Sequence, residues 1–149
     1  MTVWLTLDNF RQLCFELAAR ASWIAAEPIP AFDTRFAGRL EACLETPRQT
    51  FDNQPLYPTL NDQAAILFYL LNKNHPFANG NKRIALTALL VFLFLNGKWL
   101  IASQDDLFAF AMGVAASDAR RKETIVADIK IFLSLHLVAT ENIEKDSSG

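Results

Sequence analysis

The sequence predicts a compact all-α domain with a short β-hairpin, or flap, placed before a central pair of helices. Three observations predict it. Apolar residues recur at helical spacing in six separate segments. A single stretch, Thr46 to Pro58, loses that spacing and is punctuated by Pro47, Asp52, Asn53, Pro55 and Pro58. The hydrophobic fraction of 52% in 149 residues is enough to build one sizeable core.

Thr6 is the expected N-cap of the first helix, with Asp8 in its first turn. Phe10, Leu13, Cys14, Leu17 and Ala21 mark its buried face. Glu27-Pro28-Ile29-Pro30 breaks it. A second helix is expected from Arg35 to Leu44. The punctuated stretch then reads as an extended loop or short hairpin, with Phe51 and Tyr57 as its large side chains. Thr59, with Asp62 three residues on, forms a capping-box-like start. That helix runs to about Lys73, with Ala64, Leu67, Phe68 and Leu71 on one face.

Asn74 to Asn81 is a polar loop containing glycine. The strongly apolar helix after it extends from about Lys82 to Leu95 and stops at Asn96-Gly97. Trp99 to Ala102 is a brief extended piece. Ser103 and Asp106 open a helix to about Ala116, and a polar turn covers Ser117 to Lys122. A last helix is expected from Glu123 to Val138, using Ile125, Ile129, Phe132 and Leu133. The domain therefore spans 1–139, and 140–149 reads as a polar, frayed tail. His136 on the last helix reads as structural.

Composition narrows the function. A net charge of -2 gives no general basic surface for nucleic acid. Ile84 to Leu95 is too short to span a bilayer, which needs about 20 residues. With no signal peptide visible, the expected location is the cytoplasm. Cys14 and Cys43 have no metal-type spacing and read as buried thiols in a reducing compartment.

The chemistry is concentrated in His75-Pro76-Phe77-Ala78-Asn79-Gly80-Asn81-Lys82-Arg83. His75 can accept a proton near neutral pH. Gly80 permits the backbone to approach a ligand closely. Asn81, Lys82 and Arg83 open a helix, where the first N–H groups favour an anion. Two cations at that end oppose the helix dipole, at about 0.3–1 kcal/mol each. A polyphosphate ligand would reverse that penalty, and a base beside a cationic cradle is the equipment of phosphoryl or nucleotidyl transfer. The residues alone also fit a solvated helix start with a structural histidine. The Walker pattern is excluded, because it needs another glycine five residues before the Gly-Lys pair.

The run HPFANGNKR resembles the Fic/Doc signature HxFx(D/E)GN(G/K)R, and the flanking segments extend the resemblance over most of residues 5–137. It implies a Fic-type helical domain of the Doc-like, death-on-curing toxin branch. In that family the histidine, here His75, takes a proton from a protein hydroxyl. Phe77 would fix the loop, Gly80 and Asn81 would shape the phosphate turn, and Arg83 would hold phosphate oxygens. Lys82 stands where typical Fic proteins carry glycine, and Leu86 where many carry a second arginine; both fit the Doc-like branch. The resemblance thus implies transfer of the terminal phosphate of ATP to a Ser or Thr hydroxyl, on a target in the translation machinery. AMP transfer of the Fic type is the alternative.

One position departs from the pattern. Asn79 replaces the carboxylate that normally helps hold Mg²⁺, so it is at best a weak metal ligand. A catalytically weak binding module is therefore a third reading. The resemblance places the target-clamping flap at Pro47 to Tyr57, with Phe51 and Tyr57 as its target-flap residues. It also implies a separate antitoxin protein as partner. Thr140-Glu141-Asn142-Ile143-Glu144 begins like the family's inhibitory helix, but Lys145 breaks the pattern. The target, its modified residue and the oligomeric state are open.

Overall fold

The computed structural model describes residues 1–20 and 28–141. Among these, the chain is mostly helical, and its two small sheets are both two-stranded and antiparallel. At the centre are α4 (Leu60–Lys73) and α5 (Asn81–Leu95), joined by the loop that carries the histidine.

The Thr59 hydroxyl accepts from the Asp62 N–H, and the Asp62 carboxylate accepts from the Thr59 N–H, so the expected capping box is present. Every residue of α4 from Gln63 to Asn72 is buried, not only the apolar face. Such all-round burial needs neighbours on every side. They are α5, the 3-10 turn Thr46–Arg48, α3 (Arg39–Glu45), α6 (Gln104–Ala116) and α7 (Lys122–His136). Across this core Phe68 stacks on Phe110, and Phe110 on Phe132, at 5.0 and 4.0 Å between ring centres. His136 continues the stack at 4.2 Å from Phe132, and its Nδ1 lies 2.8 Å from the Phe132 carbonyl. Its place is structural, as expected.

The first helix differs from its reading. Thr6 caps it as anticipated, but α1 (Leu7–Asn9) and α2 (Glu16–Arg20) are joined by a π-helical turn, Phe10–Phe15. A π turn bonds i to i+5, so positions four apart share the inner face and those three apart rotate away. Phe10, Cys14 and Ala18 are buried, while Leu13 and Leu17 are 40% and 58% exposed. These two leucines line a surface groove with Leu90, Val91 and Phe94 instead of the core. Ala21 and Glu27 lie outside the described residues.

The second helix is shorter than expected. It starts at Arg39, not Arg35, because Gly38 turns left-handed at φ 80° and the chain before it forms a 3-10 turn, Phe32–Thr34. Arg35 stays extended, stacks over the Phe32 ring and pairs with Glu41 at 2.9 Å. The hairpin is where the sequence put it. β1 (Thr50–Phe51) pairs with β2 (Gln54–Pro55) across Asp52 and Asn53, both at positive φ.

The last helix also ends earlier. It closes at His136, and Leu137–Ala139 forms β4, paired with β3 (Lys98–Leu100). The extended piece after Gly97 had unpaired backbone groups, and the chain end supplies them. Thr140, expected in the tail, donates its N–H to Gly97. Residues 142–149, with the rest of the inhibitory-like pattern, lie outside the described residues. No helix among the described residues is long and apolar enough to cross a membrane.

Burial raises the Asp62 carboxyl, but hydrogen bonds from Thr59 and Lys130 outweigh it and hold the group below its ordinary value. Its stabilising effect is therefore complete above the unfolded aspartate range and lost as pH falls through the lower folded value. Thr59→Ala should remove about 1 kcal/mol of unfolding free energy at neutral pH, measured by urea denaturation.

Candidate active site

The loop between α4 and α5 is built from its middle outward. Phe77 is fully buried and lies against Phe15 and Phe32, at 5.3 and 6.1 Å between ring centres. The Asn81 side chain then closes the loop on itself: its Oδ1 accepts from the Phe77 N–H at 3.0 Å, and its Nδ2 donates to the Phe77 carbonyl at 2.7 Å. Asn81 thus shapes the turn through its side chain.

Gly80 caps α5 at φ 78°, a conformation costly for any residue with a Cβ. A Cβ there would also lie 2.8 Å from Ile29 Cγ1. Glycine is favoured on both counts. No acidic residue occupies the first turn of α5, so its positive dipole end is left to Asn81, Lys82 and Arg83. Lys82 is exposed and Arg83 half-buried.

His75 is exposed and has φ 46°, a left-handed value for a non-glycine residue. Such a conformation costs roughly 1–2 kcal/mol and persists where neighbours hold it. The adjoining backbone is held: the Pro76 carbonyl accepts from the Phe36 N–H at 2.9 Å, and the His75 carbonyl from Arg39 Nη1 at 3.3 Å.

His75, Asn79, Gly80, Asn81, Lys82 and Arg83 all line one cavity of about 510 Å³. The structure therefore brings together the residues singled out in the loop. Phe77 sits beneath as support. Phe51 and Tyr57 do not line this cavity; Phe51 is 76% exposed at the hairpin and Tyr57 packs partly against the core. The sequence reading missed the opposite wall, where Phe108, Met112, Ala115 and Ala116 of α6 face the polar loop. Phe108 and Met112 are 38% and 39% exposed, and no sequence signal marked them, because helical spacing alone does not show which apolar residues a neighbouring loop leaves uncovered.

The described residues around the cavity include no carboxylate, and no group of three or more His, Cys, Asp or Glu that could hold a metal occurs among the described residues. Mg²⁺ favours carboxylate and phosphate oxygens. The described donor set, with Asn79 as its expected metal ligand, does not make a Mg²⁺ site on its own. Cys14 and Cys43 are buried elsewhere, and burial pushes their thiols up to about 12 and about 11, which leaves them unreactive.

The Fic/DOC family model matches residues 4–93. The chain belongs to the Fic/DOC family. The matched region takes in the first helical run, the hairpin, the histidine loop and most of α5. Among curated proteins, Toxin Doc of Mycolicibacterium smegmatis is 41% identical over 68 residues, which cover 46% of this chain and 52% of that protein. The chain thus spans about half the length of this curated relative. No solved structure matches the chain.

Asn81→Ala would leave the buried N–H and C=O of Phe77 without partners. The expected loss is roughly 2 kcal/mol of unfolding free energy, read from chemical denaturation.

Proposed function

We propose that this Fic/DOC protein is a Doc-like toxin that transfers the terminal phosphate of ATP to a Ser or Thr hydroxyl of a target protein. The observation that carries the proposal is the convergence of His75 with the start of α5 on one cavity. The two walls of that cavity match the two halves of a nucleotide. Gly80 to Arg83 offer backbone N–H groups and cations to phosphates, and Phe108 with Met112 offer apolar surface to a base.

In the reaction, His75 takes the hydroxyl proton as the target oxygen attacks the γ-phosphorus. The bond from that phosphorus to the β–γ bridging oxygen breaks, and ADP leaves. Lys82, Arg83 and the positive end of α5 offset the charge on the transferring group. The described residues that line the cavity supply no carboxylate to fix a metal. Mg²⁺ is proposed only as a companion of the nucleotide's own phosphates. The hairpin, with Phe51 exposed beside it, offers an edge on which an extended target segment can add a strand. A target in the translation machinery, a neutralising antitoxin protein and a cytoplasmic setting complete the proposal, and the likeness to Toxin Doc supports its toxin character.

A second reading has its own observation. The neutral Asn79, in a cavity without a carboxylate among its described residues, favours a weakly catalytic module that binds a nucleotide or partner.

ATP labelled on the terminal or the α phosphate, incubated with the protein and a cell lysate, decides between these readings. Terminal label should appear on a protein, and His75→Ala should abolish both labelling and growth arrest on expression. Transfer of α label would show AMP transfer, and no transfer from either would favour the binding module. Calorimetry adds a separate expectation: Asn79→Asp should make ATP binding more dependent on Mg²⁺ than in the parent chain.

A further inference from the structure

We propose that Arg39 is a positioning residue that sets His75 for catalysis from outside the signature loop, an inference that rests on the transferase reading above. The starting observation is the left-handed backbone of His75, at φ 46°, in a chain that otherwise uses such values at glycines and at the Asp52-Asn53 hairpin turn among its described residues. A histidine adopts that conformation where its surroundings enforce it.

The turn from Phe36 to Arg39 supplies the enforcement. Arg39 donates its N–H to the Phe36 carbonyl at 3.2 Å, which closes the turn. Phe36 donates its own N–H to the Pro76 carbonyl at 2.9 Å. The Arg39 guanidinium lies 4.4 Å over the Phe36 ring and donates from Nη1 to the His75 carbonyl at 3.3 Å. Two successive carbonyls of the loop are thereby gripped by one turn, immediately ahead of the Phe77 backbone that Asn81 holds.

Arg39 also begins α3, where a cation opposes the helix dipole. It is exposed, so core packing does not explain it. A planar, charged donor that can stack and hydrogen-bond at once suits this grip better than an ammonium does.

The test uses the full chain with Arg39→Ala and Arg39→Lys. Its readouts are transfer kinetics, the melting temperature and the imidazole NMR signals. The chain has two histidines, so the His75 and His136 signals can be told apart, and His136 serves as an internal control. Arg39→Ala should lower kcat about tenfold or more, the scale on which small misplacements of a reacting group act. KM for ATP should stay within about twofold, because the lost contact is to the histidine and not to the nucleotide. The His75 signal should move while that of His136 stays, and the melting temperature should change little. Arg39→Lys should recover part of kcat. An unmoved His75 signal with unchanged kcat overturns the proposal. So does a rise in KM at constant kcat, which would make Arg39 a ligand contact. If the parent chain transfers no phosphate, the transferase reading fails, while the His75 signal still decides whether Arg39 holds that residue.

Discussion

The two hydrogen bonds between the Asn81 side chain and the Phe77 backbone are the constraint on which the site depends. They tie the first residue of α5 to the buried anchor of the loop, so the intervening residues have one path. Gly80 lies at positive φ within the closed loop, and the start of α5 lines the cavity. Burying the Phe77 ring contributes about 1.5–3 kcal/mol. The left-handed His75 costs roughly 1–2 kcal/mol, and the cations at the helix start about 0.3–1 kcal/mol each. The anchor and its two hydrogen bonds are thus of the size needed to hold a loop that is locally unfavourable. A polar and strained segment can be kept ordered in this way next to an apolar core.

Much of this was legible in the sequence, for definite physical reasons. The capping box at Thr59 and Asp62 is a local signal, and so is the Asp52-Asn53 turn. The His75 to Arg83 cluster could be read through its resemblance to the Fic/Doc signature, since its residue types alone also fit a solvated helix start. What escaped was non-local. A π turn leaves no mark in apolar spacing, so Leu13 and Leu17 were assigned to the core but face outward. The pairing of Leu137–Ala139 with Lys98–Leu100 joins segments far apart in the chain, and periodicity at either end cannot reveal it. Gly38 moved the start of α3 because a left-handed glycine can cap as well as continue a chain.

The site shows the same division. The loop's own residues were found, but its supports were not. Phe15 and Phe32, which enclose Phe77, come from two other segments. The wall formed by Phe108 and Met112 comes from a helix that follows the loop by some distance in sequence. Asn81 was assigned to the phosphate turn, and its side chain proves to act within the loop, on Phe77. The Fic/DOC family match takes in this architecture, in which one short polar segment is held by the rest of the domain.

The proposed function requires the start of α5 beside His75 to be a phosphate cradle. Titration of the isotope-labelled protein with inorganic tripolyphosphate, followed by amide and imidazole NMR, tests it without requiring turnover or a known target. A phosphate cradle should give saturable shifts centred on the backbone amides of Gly80, Asn81, Lys82 and Arg83 and on the His75 ring. Shifts that cluster elsewhere, or none at these residues at millimolar anion, would contradict it.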